Sequence, residues 1–282
     1  MALICIIIGL ILEHSAEFVR DFRNFHWFDR YSQWLINHLP GLSNQGASSI
    51  VILLLPVMLL TLVIQNSLVD VLYGLLSLIF GLVVFVYCLG PRNLNRDIDG
   101  YLNARENGEE EQAQKFASAI MGKEAPAAPD QQIPEVMHAI LSESNDRIFS
   151  VIFWFIILGP FGALLYRLTA HTMHTARNGT LSAAAKKLQA ILGWAPAHLV
   201  AVGYALTGNY EGASASYRNK NSFDELSDAN FQTLTTAGLG ALRDCAPGEE
   251  TACIRATRGL VLRTLVVWLA VISMLTLIGW MS

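Results

Sequence analysis

Four long apolar runs organise the chain. Residues 48–64 and 68–89 flank the link Gln65-Asn66-Ser67, which predicts two membrane crossings joined by a tight hairpin. Residues 148–166 and 261–280 predict two more, the first broken by Gly159-Pro160. The nineteen Lys and Arg residues stay out of the interiors of these runs.

Two further segments are weaker. "MALICIIIGLIL" holds a dozen apolar residues, which as a helix cover about 18 Å of a roughly 30 Å hydrocarbon layer. It crosses only as part of a helix over 2–19 that carries Glu13 and His14 down to "EHSAEFV". It has neither the basic start nor the small-residue cleavage site of a signal peptide, so it is expected to be retained. The stretch 190–207, with Pro196 and His198 at its middle, reads equally as a crossing or as a buried helix. The expected fold is all-α and polytopic, with four to six transmembrane helices and helical polar loops.

The same pattern divides the chain into five regions. Residues 1–90 form a membrane region with a helical hairpin, 91–147 a polar region, 148–208 a membrane region with a Gly-Pro-kinked helix, 209–260 a second polar region, and 261–282 a final transmembrane helix. The first polar region contains a helix-like "NGEEEQAQKFASAIMG" and a break at "KEAPAAPDQQIPE". Arg92, Arg96 and Arg105 follow the hairpin, so the positive-inside rule puts 91–147 in the cytoplasm, together with 13–47. Beyond residue 148 the rule fails, because Arg177, Lys186 and Lys187 follow an outward crossing. The topology of 167–260 stays open.

Composition agrees with a membrane protein. The 282 residues are 53% hydrophobic and 15% charged, with a net charge of −4, and the mean hydropathy is +0.40. No basic surface points to nucleic acid, and the lipid bilayer is the expected partner. Gly122-Lys123 is followed by Glu124 and preceded by Ala117 where a phosphate loop needs its first glycine. No GxSxG or HExxH occurs. Neither a catalytic residue, a cofactor nor a metal is assigned. Cys5 and Cys88 sit in apolar runs, whereas Cys245 and Cys253 bracket the turn "APGEETA", a length that a disulfide can close. Such a bridge needs an oxidising compartment.

Chemistry concentrates in "YRLTAHTMHTARN". At about 100° per residue, Arg167, His171, His174 and Asn178 share one helix face. Three readings stay open. Two histidines at i,i+3 could ligate a metal, but the further ligands would be as distant as His198 or Glu13. They could line a polar ligand pocket with Arg167 as anion clamp, facing Glu13 and His14 of the first helix. Or they could end a helix at the headgroups. Asp146, beside Arg147, belongs either to a site or to an N-terminal cap in "SESND", and local chemistry favours the cap. Trp27, Trp34, Trp194 and Trp280 read as interface anchors.

The stretches "SESNDRIFSVIFWFIILGPFGALLYRL" and "GWAPAHLVAVGYALTGN", with "LTTAGLGAL", resemble the AmpE family of inner-membrane proteins linked to β-lactamase induction. The chain is similar, more distantly, to the CbiB membrane ligases of cobalamin biosynthesis. The ligases' Asn-Thr-x-Asp element is replaced here by "AHTMHTARN", and "SDANFQTLTTAG" has no Pro-Asn-Ala-Gly. The first resemblance implies a multi-pass inner-membrane signalling modulator tied to cell-wall recycling, without catalysis. Its partner would be another protein or a small cell-wall-derived ligand. The second implies a divergent amide ligase acting at the membrane face, although most of the carboxylates such chemistry needs are missing.

Overall fold

The computed structural model describes residues 2–15, 24–39, 46–68, 74–89, 94–176, 179–218, 225–242 and 250–279. Every element in these segments is helical. The chain divides into two compact units. One is built from residues 1–91, 150–194 and 275–282, the other from 92–149 and 195–274.

The first unit begins with α1 (Ala2–Ser15), an apolar helix laid on α4 (Leu75–Cys88). Their approach depends on Gly9, where a Cβ would stand 2.5 Å from the ring of Phe85. Between them come α2 (His26–His38) and α3 (Ala47–Ser67). The α3 helix is apolar around most of its circumference, and Leu55, Leu59, Leu60 and Val63 stay exposed as a lipid-facing helix requires. Pro56 stands inside it without ending it. Next in this unit are α8 (Ser150–Leu158) and α9 (Pro160–Thr175), followed by the first part of α10 (Gly179–Thr207).

The single kinked crossing expected at 148–166 is two separate helices. Gly159 adopts a left-handed φ of 66°, and Pro160 opens a separate helix. The bend is so sharp that a Cβ on Gly162 would lie 2.3 Å from the carbonyl oxygen of Trp154, eight residues earlier. Gln65 seals this corner, its Oε1 accepting the otherwise orphaned N–H of Phe161 at 3.2 Å. Gln65, Asn66 and Ser67 form the last turn of α3 and not the hairpin link.

The second unit contains α5 (Leu94–Glu106), α6 (Glu110–Met121) and α7 (Pro129–Ser144), which continues through a π-helical turn at Asn145–Phe149. The cap expected at "SESND" is absent, because the helix runs through that motif instead of starting after it. The remainder of α10 is joined by α11 (Tyr210–Arg218), α12 (Leu226–Ala241) and α13 (Glu250–Leu277). One core spans both polar regions, with Tyr101, Ile120, Ile140, Phe149, Tyr204, Leu234 and Ile254 all buried. The buried Tyr204 hydroxyl donates to the Leu141 carbonyl at 3.1 Å and pairs with Ser144 Oγ at 3.1 Å. The ion pairs Arg255–Glu106 and Arg258–Asp99 hold the start of α13 beside α5.

Among the described residues, three helices are long and apolar enough to cross a bilayer: Ala47–Ser67, Gly179–Thr207 and Thr251–Leu277. Ala2–Glu13 and Leu75–Cys88 are shorter apolar helices. The protein is thus an all-α polytopic membrane protein. The ambiguous stretch 190–207 turns out to be the second half of a 29-residue helix.

Candidate functional site

The polar face expected on "YRLTAHTMHTARN" lies on α9, which packs against α3 and α4 in the first unit. His171 is mostly buried, and the N–H of its Nε2 donates to Oδ1 of Asp29 on α2 at 2.7 Å. The imidazole also contacts two phenyl rings, with centroids 4.9 Å from Phe25 and 6.1 Å from Phe28. One turn earlier on α9, the guanidinium carbon of Arg167 stands 5.8 Å from the Phe25 ring centroid, within cation–π range. Phe25 also packs against Tyr87 of α4, centroid to centroid 4.7 Å. The Tyr87 hydroxyl donates to the Asn24 carbonyl at 2.8 Å and accepts from Trp27 Nε1 at 2.7 Å. Tyr31 adds a further tie, donating to the Leu53 carbonyl of α3 at 3.2 Å.

This framework borders a cavity of about 580 Å³ lined by His26, Asp29, Ser32, Gln33, Asn37 and Thr175, with Leu53 and Leu181 as apolar walls. The size suits a small molecule. Its chemistry is one carboxylate, an imidazole and several neutral hydrogen-bonding groups, and that carboxylate, Asp29, forms a histidine–carboxylate pair with His171. Such a pair can fix a ring tautomer and present a polar surface to a ligand. A metal needs more: among the described residues, no group of three or more His, Cys, Asp and Glu side chains could hold one.

The structure gathers only part of the residue set singled out from sequence. Arg167 and His171 share the site, and His174, on the same helix, is exposed. Glu13 is half-buried in the first unit; it, Arg167, His174 and His198 all have partners within the fold. The side chain of His14 and all of Asn178 and Trp280 lie outside the described residues. His198 and Asp146 belong to the second unit, where Asp146 accepts from Asn145 Nδ2 at 3.1 Å. Cys253 is disulfide-bonded, and Cys245 lies outside the described residues. Trp27, Trp34 and Trp194 are exposed.

Asp29 and Phe25 were missed by sequence reasoning. The available signal was the aromatic density of "NFHWFDRYSQW" within an otherwise polar segment. So many rings flanking one acid mark a helix that buries its aromatic face.

A family model described as "Regulatory signalling modulator protein AmpE" matches residues 1–282. The chain belongs to the AmpE family. This AmpE-family chain is also similar to proteins named "Cobalamin biosynthesis protein CobD". It is 26% identical to that of Stutzerimonas stutzeri over 221 residues, covering 76% of this chain and 72% of the relative. With that of Chromobacterium violaceum it shares 26% identity over 204 residues, covering 70% of this chain and 63% of the relative. The match therefore spans less than two thirds of the second relative's length. No solved structure matches the chain.

Proposed function

We propose that this AmpE-family chain is a multi-pass regulatory modulator of the inner membrane that links cell-wall recycling to β-lactamase induction. It acts by binding a protein partner or a small cell-wall-derived ligand, without catalysis. The observation that carries this reading is the family match over the whole chain. The cavity beside Asp29 and His171 is the place proposed for ligand binding. It supplies directional polar groups against an apolar wall, the usual make-up of a recognition pocket.

The test replaces the chromosomal copy with His171→Ala or Asp29→Ala and measures β-lactamase activity after exposure to a sub-inhibitory β-lactam. Induction is expected to fall several-fold while the amount of membrane-inserted protein stays the same. Wild-type induction in both variants would remove the cavity from the mechanism, and wild-type induction in a full deletion would remove the regulatory role.

The similarity to the cobalamin-biosynthesis proteins favours one alternative, a divergent amide ligase or transferase at the membrane face. Purified protein that condensed an amine with an activated carboxylic acid, with turnover lost in Asp29→Ala, would select that reading.

A further inference from the structure

The second unit contains a cavity that the proposed function does not use. It measures about 710 Å³ and lies among α7, the loop before α11, α11 and α12. Its lining includes His138, Asn209, Ser216, Phe231, Gln232 and Thr236. We propose that it is a binding site for a neutral, hydroxyl-rich ligand of the saccharide class.

Among the described residues, no Lys, Arg, Asp or Glu lines the cavity. An anion or cation entering it would leave water without meeting a counter-charge, which is costly. A wholly apolar ligand fits no better, because it would cover amides and hydroxyls and leave them without partners.

Hydrogen-bonding capacity points the same way. Gln232 Oε1 is approached by Thr236 Oγ1 at 3.5 Å, and Asn209 Oδ1 accepts the Gly212 N–H at 3.2 Å. The Gly212 contact orients the Asn209 amide by its oxygen, while the longer Thr236 contact leaves the Gln232 amide weakly engaged. Their NH₂ groups, the His138 ring nitrogens and the Ser216 hydroxyl make no hydrogen bond among the described residues. Two amide donors, an imidazole and a hydroxyl around one space match a ligand carrying several hydroxyls, each both donor and acceptor.

The aromatic component completes the match. Phe231 is 40% exposed, and its ring stands edge-on to His138 with centroids 6.2 Å apart. It offers a flat apolar face beside the polar groups, complementary to the C–H face of a pyranose ring. The helix contact beside the cavity is close. A Cβ on Gly212 would sit 2.3 Å from the Gly240 carbonyl oxygen, so α11 and α12 meet backbone to backbone. The backbones that carry Asn209, Ser216 and Gln232 are thereby set at a fixed spacing, which lowers the ordering cost of binding.

The test is saturation-transfer NMR on the full chain, purified in a detergent without a sugar headgroup. The probes are N,N′-diacetylchitobiose and maltose. At least one should give transfer that saturates with its concentration, and Gln232→Leu should weaken it about tenfold or more. Thr236→Val serves as a second variant should Gln232→Leu fail to fold, and an unchanged thermal midpoint confirms folding of either. Ser182→Ala, in the first unit, should bind as wild type does. No saturable transfer from either probe overturns the proposal, as does undiminished binding in both folded cavity variants. Tighter binding of glucose 6-phosphate than of glucose overturns the neutral class. None of these readouts depends on β-lactamase induction, so failure here and failure of the regulatory reading are distinguishable.

Discussion

Replacing Asp29 with alanine leaves His171 wedged against Phe25 and Phe28 with no acceptor for its Nε2 proton. A hydrogen bond to a charged group contributes roughly 1.5–3 kcal/mol. Here the side chains are 18% and 32% exposed, so solvent screens part of that. The net value is taken as about 1 kcal/mol. In a chain of this size that corresponds to a fall of roughly 2–4 °C in thermal midpoint. The expected signature is coupling: Asp29→Ala and His171→Ala each lower the midpoint, and the double variant loses less than their sum by about 1 kcal/mol. The assay is thermal unfolding of the four proteins in one detergent, followed by exposure of buried thiols. Additivity within about 0.3 kcal/mol would refute the pair as an energetic unit. The aromatic contacts alone would then account for the docking of α2 on α9.

Gly162→Ala should lower stability by about 1–3 kcal/mol, because the added Cβ meets a backbone oxygen that has little room to move; an unchanged midpoint would refute the tight α8–α9 corner. The pairing of Arg255 with Glu106 places Cys253 and Gly108 in one compartment. A reporter fused at Gly108 and labelling of Cys253 in cells with and without prior reduction of its disulfide must therefore agree, and a cytoplasmic reporter with Cys253 labelled only after reduction would refute this. Burial holds the His138 ring below the ordinary histidine range, partly offset by Glu135. A histidine kept neutral in the fold contributes stability that is present above its unfolded value of about 6.5 and lost as pH falls below it. Stability should therefore fall between pH 7 and about 5.5, with the dependence flattened in His138→Gln.

Periodicity and composition were enough to read the class of this protein. An apolar stretch such as 48–64 has one stable environment as a helix, and 53% hydrophobic residues leave no soluble alternative for a chain of this length. The α6 helix and the grouping of Arg167 with His171 were legible for the same reason, since a period of 3.6 residues is a local property. Local pattern failed at Gly159-Pro160, where hydrophobicity continues unbroken while the backbone turns, and at "SESND", where a good capping sequence is overridden by a π turn inside a longer helix.

Partners across the fold were beyond its reach. Glu13, at the end of an apolar helix, could be proposed from sequence as the acid that pairs with Arg167. Asp29 could not: it lies 142 residues from His171 and makes the hydrogen bond because aromatic packing docks α2 on α9. Likewise the two polar regions, far apart in sequence, share one core through Tyr101, Ile140, Leu234 and Ile254. Spacing along a chain determines which side chains share a helix face. Which faces meet is decided by long-range packing, through close approaches such as Gly9 on Phe85 and Gly212 on Gly240 that have no local signature.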